Sequence, residues 1–344
     1  MKDFKNYSLK AHNTFGIEAK CKRFLEFENE REAIDVAAIL RTAGEPYIII
    51  GGGSNLLLTK DFDGIVVRSA IRGYEFSANN HSTLITHPSP VMTCGSGEVF
   101  DDMVAASIEA GYYGMENLSL IPGDVGASAV QNIGAYGVEA KDFIARVAMV
   151  EIATGKPCTV GNEECQYSYR QSRFKQDWKN RFLITRVTYA LSTTFTPHLD
   201  YGNIRAELER KGISEPTAQQ LRQTIIDIRN AKLPDPKVMG NAGSFFMNPI
   251  VSRRQYEELA VQYEGMPHYE VDAERVKIPA GWMIDQCGWK GRSLGRAGVH
   301  DRQALVLVNR GGATGDEIVR LCEAIQRDVR QKFGIEIHPE VNIV

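Results

Sequence analysis

Apolar residues recur at helical spacing over 29–43, where Ile34, Ala37, Ala38 and Leu40 share a side and Gly44 follows as a stop. Pro46 leads into Tyr47-Ile48-Ile49-Ile50, a short buried strand that runs straight into Gly51-Gly52-Gly53-Ser54-Asn55. No helical pattern follows that loop, because LLLTKDFDGIVV reads as strand and turn. Residues 83–97 read as strand and turn, 99–110 as a helix on Met103, Val104 and Ile108 stopped by Gly111, and 146–160 as a hairpin about Thr154-Gly155. Residues 181–191 read as a strand with Leu183, Val187, Tyr189 and Leu191 on one side. TTFTPHLDYGN has no periodicity and reads as a loop and a domain junction. Helices follow over 217–229, from Ser252 with Gln255 as a capping box, from Pro279 to Asp285, and from Thr314 with Glu317 to Phe333, stopped by Gly334. The terminal IEIHPEVNIV alternates, with Ile335, Ile337, Val341 and Ile343 facing one way, and Pro339 makes it an edge strand or a broken one. The pattern as a whole is α+β.

The chain has 344 residues, enough for two or three domains. Its net charge of -3 argues against a nucleic-acid partner. No apolar run reaches the length of a membrane span, and the N-terminus is too polar for a signal peptide. The six cysteines show no CxxC pair and no metal-ligand spacing, so they read as reduced, mostly buried thiols of a cytoplasmic protein with no metal site.

The chemistry concentrates around IPGDVGASAVQNIGAYG, residues 121–137, with Gly114 just upstream. Gly123 and Gly126 bare the backbone before a short helical run, ASAVQN, and such N–H groups suit an anion. Ser128, Gln131 and Asn132 add polar donors. A packed turn is the bland account, since glycines mark turns more often than ligands. Two features weigh against it: the stretch is nearly free of Lys and Glu, and a second glycine cluster follows a strand upstream. Leu56 stands where a GxGxxG fingerprint needs its last glycine, so a dinucleotide Rossmann unit is disfavoured and another kind of phosphate nest is favoured. Pattern alone supports a nucleotide- or flavin-binding enzyme and little more.

Six motifs in order go further: NTFGI, GGGSNLL, IPGDVGASAVQNIGAYG, YSYRQS, GNAGSFFMNP and the terminal HPEV. From Asn13 to the C-terminus the chain resembles the UDP-N-acetylenolpyruvoylglucosamine reductases, the MurB family. The resemblance implies a vanillyl-alcohol-oxidase-like FAD-binding fold of two subdomains plus a C-terminal α+β substrate-binding domain. The expected boundaries are 1–70, joined by the C-terminal strand at about 330–344, then 71–205 and 206–330. FAD is the implied cofactor and NADPH the co-substrate. Gly51, Gly52, Gly53, Ser54 and Asn55 would cradle the FAD pyrophosphate, and Pro122, Gly123, Gly126, Ala127 and Ser128 would line its flavin side.

The implied reaction is reduction of the enolpyruvyl group of a UDP-sugar in peptidoglycan precursor synthesis. Hydride addition places negative charge next to a carboxylate, so a cation and a proton donor are needed. By resemblance, Ser244 would donate the proton, while Arg170 and Glu340 would stabilise the enolate. Tyr201 matches a tyrosine loop that folds over the nucleotide sugar. Arg229, Lys232, Asn248 and Gln303 match positions near the diphosphate and sugar. Taken singly, Arg170, Ser244 and Glu340 also read as ordinary surface or turn residues; taken as a set in family spacing, the catalytic reading is favoured, while for Arg229 and Lys232 a surface cation at a helix end is an equal alternative. Met247, His338 and Asn342 depart from the usual residues there. A monomer without nucleic-acid or membrane partners is expected. The competing readings are another oxidase or dehydrogenase of the same flavin fold, and a non-catalytic nucleotide-sugar binding protein.

Overall fold

The computed structural model describes residues 1–78 and 90–344. Two compact units emerge, one made of Met1–Tyr7, Cys21–Gly53 and Phe62–Ala231, the other of Ser8–Lys20, Ser54–Asp61 and Lys232–Val344.

The first unit holds a small antiparallel pair, Gly134–Ala135 with Val138–Glu139, and two large sheets. One is four-stranded, in the order Lys2–Ser8, Lys20–Phe27, Phe62–Ser69, Tyr47–Ile50, with parallel pairing of the last three. The helix Glu30–Ala43 covers it. The Asn29 side chain accepts the Glu32 N–H at its start, and Gly44 closes it in the left-handed region at φ 64. Ala33, Val36, Ala37 and Leu40 are its buried stripe and pack with Leu25, Phe27, Ile65 and Val67. The strand Lys2–Ser8 had no sequence signal: nearly all of it is exposed, so neither face carries an apolar alternation.

The second sheet has five antiparallel strands, in the order Pro157–Gly161, Ile144–Glu151, Phe182–Ala190, Pro90–Gly95, Tyr74–Ala78. The hairpin, the strand over 182–190 and the helix Phe100–Glu109 lie where the pattern puts them. Of the strand and turn expected over 83–97, residues 83–89 lie outside the described residues. One expectation is corrected. Leu183 does not share a side with Val187 and Tyr189; it packs with Leu25 and Ile65, whereas they pack with Phe100 and Val104. The cause is a bulge. Met149 faces Ile184 and Ala148 faces Arg186, so Thr185 is an extra residue that reverses the alternation. Helices Ile204–Arg210 and Ala218–Lys232 form their own cluster through Ile204, Leu208, Leu221, Ile225 and Ile228.

The second unit has a four-stranded sheet, Asn241–Ser244, Val306–Asn309, Ala297–Val299, Ser293–Leu294, and a three-stranded one, Ile250–Ser252, Arg275–Lys277, Tyr269–Glu270. The long helix Gly315–Phe333 begins with a complete capping box between Thr314 and Glu317 and ends at Gly334 with φ 65. Ser252 accepts the Gln255 N–H at the start of Arg253–Ala260, and Pro279 precedes Ala280–Gln286. The terminal segment is strand only at Asn342–Ile343, paired in parallel with Leu56–Leu57. Ile335, Ile337 and Val341 are buried as expected, but Ile343 is exposed. Pro339 breaks the run, as its missing N–H requires. Among the described residues no helix is long and apolar enough to cross a membrane.

Candidate active site

The two glycine loops of the first unit lie against one another. A Cβ on Gly51 would sit 2.9 Å from the Ala127 Cβ, and one on Gly52 would sit 3.0 Å from Asp124 Oδ1 and 3.4 Å from the Gly123 Cα. Only bare backbone fits at this junction. Gly123 itself has φ 119, closed to most side chains. Beneath it Arg68 bonds Glu26 at 3.0 Å and Asp124 at 3.4 Å, a cation shared by two buried carboxylates. Burial raises the Asp124 carboxyl above the usual aspartate range, against the pull of Arg68. Asp124 opens the helix Val125–Gln131 without capping it, its carboxylate being turned to Arg68 and Gly52 instead.

The anion nest read at that helix start is corrected in part. The N–H of Val125 donates to the Glu98 carbonyl and that of Gly126 to the Ser96 carbonyl, both at 2.8 Å. Gly126 is helical, and a Cβ there would meet the Ser96 Cβ at 3.0 Å, so this glycine serves packing. Ser128 is buried, donating to the Val125 carbonyl and pairing with the Tyr189 hydroxyl at 2.6 Å. Pro122 is exposed and Ala127 half-buried. The bare loops Gly51–Gly53 and Gly123 fit a cofactor that needs close backbone approach, while Arg68 offsets the two carboxylates beneath them.

Arg170 sits in the left-handed region at φ 56, uncommon for a residue with a side chain. Its guanidinium donates to the Gly134 carbonyl at 2.5 Å, the Asn132 carbonyl at 3.4 Å and Glu139 at 3.1 Å. A Cβ on Gly134 would stand 2.7 Å from Arg170 Nη1, which explains that glycine. Glu139 is fixed in turn by Asn132 and Lys141 and forms a capping box with Asp142. The sequence reading missed Glu139; no motif marks a carboxylate that meets its arginine across 31 residues.

In the second unit Gly243, at φ 69, turns the chain so that Ser244 is exposed while Phe245 and Phe246 are fully buried beside it. Pro339 bridges Phe246, Met247 N–H donates to the His338 carbonyl at 3.0 Å, and Glu340 N–H donates to the Phe245 carbonyl at 2.8 Å. Ser244 and Glu340 are thereby carried on adjacent antiparallel segments. Asn55 binds the same segment, donating to the Glu340 carbonyl at 3.2 Å and accepting the Asn342 N–H at 3.1 Å.

The remaining residues divide. In the first unit the Tyr201 ring lies on Gly137, its Cβ 3.4 Å from where a Gly137 Cβ would be. Arg229 is crowded enough that burial pulls its guanidinium below the usual arginine range, with Tyr136 and Asp101 facing it. Its Nε has no hydrogen-bond partner among the described residues. Lys232 ends the same helix, is exposed, and is the residue at which the second unit resumes. In the second unit Asn248 accepts the Ala280 N–H and so caps a helix, and Gln303 accepts the Leu305 N–H.

Residues 21–161, which carry most strands of the first unit's large sheets and both glycine loops, match the FAD binding domain model and place the chain among FAD-binding flavoproteins. Residues 235–344 match the model of the UDP-N-acetylenolpyruvoylglucosamine reductase C-terminal domain. Similar relatives are the UDP-N-acetylenolpyruvoylglucosamine reductase of Bacteroides fragilis, 53% identical over 98% of this chain and 99% of the relative, and that of Burkholderia multivorans, 44% identical over 97% and 95%. The crystal structure of the Thermus caldophilus reductase (MurB) covers 99% of this chain and 98% of its own at TM-score 0.65 and 20% identity, a likeness of fold. The chain belongs to the UDP-N-acetylenolpyruvoylglucosamine reductase family, and the expected α+β fold with an FAD-binding domain followed by a C-terminal domain holds.

Proposed function

We infer that the chain reduces the enolpyruvyl group of UDP-N-acetylglucosamine enolpyruvate to UDP-N-acetylmuramate, with NADPH as electron source, in peptidoglycan precursor synthesis. The observation that carries this is the 53% identity to the Bacteroides fragilis reductase over nearly the whole of both chains. When bound, FAD supplies the hydride chemistry that links NADPH to the substrate.

The chain's own residues have the following roles. Gly51, Gly52, Gly53, Ser54 and Asn55 hold the pyrophosphate, and Pro122, Gly123 and Ala127 line the flavin side with Gly126 and Ser128 packed behind them. The bare backbone at Gly51 and Gly52 supports this reading. Arg170 binds the substrate carboxylate with its fork and offsets the negative charge that builds on the neighbouring carbon. Glu340 helps to stabilise the enolate form through a hydrogen bond. Ser244 gives its proton to the carbon and, as a weak acid, depends on the polar groups around it. Its exposed hydroxyl, beside the segment carrying Glu340, supports that role. Tyr201 folds over the nucleotide sugar, and Arg229, Lys232, Asn248 and Gln303 contact its diphosphate and sugar. The orphaned Nε of Arg229 supports its part.

The FAD subdomains span 1–70 with the C-terminal strand, and 71–205. The substrate-binding domain spans 206–330, and the compact unit that resumes at Lys232 makes up most of it. The enzyme acts as a cytoplasmic monomer. An anaerobic absorption spectrum tests the function. FAD-loaded protein loses its flavin bands on adding NADPH and regains them on adding the enolpyruvyl UDP-sugar; failure to take up FAD, or bleaching without recovery, contradicts it.

A further inference from the structure

We propose that Asn117 is a positioning residue for nucleotide-sugar binding: it ties the loop that carries Tyr201 to the Tyr136-Gly137 turn. The inference rests on the reading of Tyr201 given above. Asn117 is 1% exposed, and its amide nitrogen donates to two carbonyls from separate segments, Tyr136 at 2.9 Å and His198 at 3.0 Å. Both N–H groups of one carboxamide are thus spent on clamping a loop to the central glycine stretch.

The loop is held at a few points, and its apolar side chains Phe195 and Leu199 pack against the cluster that contains Ile204, Leu208 and Ile225. Residues 193–200 have no regular structure. Its start is held where Tyr113 and Ser192 exchange backbone hydrogen bonds at 2.8 and 2.9 Å, and Phe195 meets the Tyr113 ring edge-on at 5.6 Å. Asn117 supplies a buried polar hold at His198, three residues before Tyr201. Beyond it the Tyr201 ring rests on Gly137, whose φ of 87 and missing Cβ leave the seat open. The anchor itself is rigid: Glu116 accepts the Gly114 N–H with both carboxylate oxygens at 3.0 and 3.1 Å, fixing the turn from which Asn117 projects. A preordered loop spares the ligand the entropy of ordering it, so loss of the tether should appear in affinity.

The test uses the FAD-loaded protein and UDP-N-acetylmuramate as probe. Asn117→Ala is expected to keep its FAD and to bind the probe about tenfold more weakly, the loss of two buried hydrogen bonds being enough for that. In a Tyr201→Ala background the same substitution is expected to add little, because the tether acts through the tyrosine. Wild-type affinity in Asn117→Ala, or a full additional loss on top of Tyr201→Ala, overturns the tether while leaving the reading of Tyr201 intact. Wild-type affinity in Tyr201→Ala overturns that reading and the inference with it. A measurement on the wild-type holoenzyme needs no variant: chymotrypsin should cut slowly at Phe195, Leu199 and Tyr201, and rapid cutting there overturns the proposal.

Discussion

The backbone N–H of Glu340 donates to the carbonyl of Phe245 at 2.8 Å, which sets a carboxylate-bearing residue from the end of the chain beside the residue that follows Ser244. The exposure of Ser244 depends on the turn before it. Gly243 has φ 69 with open space around it, so a methyl group there meets no atom and costs only conformation, about 1–2 kcal/mol. Gly243→Ala is expected to hold FAD normally yet transfer to substrate more slowly. Equal reoxidation rates in variant and wild type would show that Ser244 is not placed by this turn.

Arg170 is held by Glu139 and by the carbonyls beside it. Glu139→Gln keeps the shape and loses the charge, and Gly134→Ala pushes a methyl to within 2.7 Å of the guanidinium. Both should lower turnover with the enolpyruvyl substrate by about tenfold to a hundredfold, since displacement of a positioning group by about 1 Å has that effect. Stopped-flow traces of reoxidation by substrate check this. Wild-type rates in both variants would remove Glu139 and Gly134 from the account.

Arg68 is shared by Glu26 and Asp124, and both carboxylates are nearly excluded from solvent. Arg68→Met leaves the two without their common partner, a change that typically costs about 3–5 kcal/mol. Unfolding in denaturant should show that loss, and FAD should bind more weakly because Asp124 lies against Gly52. Unaltered stability would mean that Lys2, which bonds Glu26 at 2.6 Å, suffices alone.

The Glu317 carboxyl is pulled down to about 2, first by the Thr314 backbone N–H and then by Arg296. Its folded pKa lies below its unfolded one, so its contribution to stability is complete above about pH 4.5 and is lost as pH falls towards about 2. Melting curves of wild type and Glu317→Gln should therefore differ at pH 7 and converge near pH 2. Parallel curves down to pH 2 would exclude this contribution.

Local signals made much of the fold legible. Asn29 and Gly44 bracket one helix, and Thr314, Glu317 and Gly334 another, because capping chemistry is written in adjacent residues. The bulge at Thr185 was hidden, since an extra residue in a strand leaves the composition unchanged. The strand Lys2–Ser8 was hidden because it buries almost nothing. At the site, ordered motifs pointed to Ser244, Arg170 and Glu340. Glu139, which holds Arg170, Asn117, which holds the loop at His198, and Arg68, which holds Asp124, meet their targets across long separations and belong to no motif.

Mixing NADPH-reduced Ser244→Ala protein with the enolpyruvyl UDP-sugar in an anaerobic stopped flow tests the central claim most directly. The account predicts normal bleaching of the flavin by NADPH and almost no return of colour on adding substrate. Return of the flavin bands at the wild-type rate would contradict it.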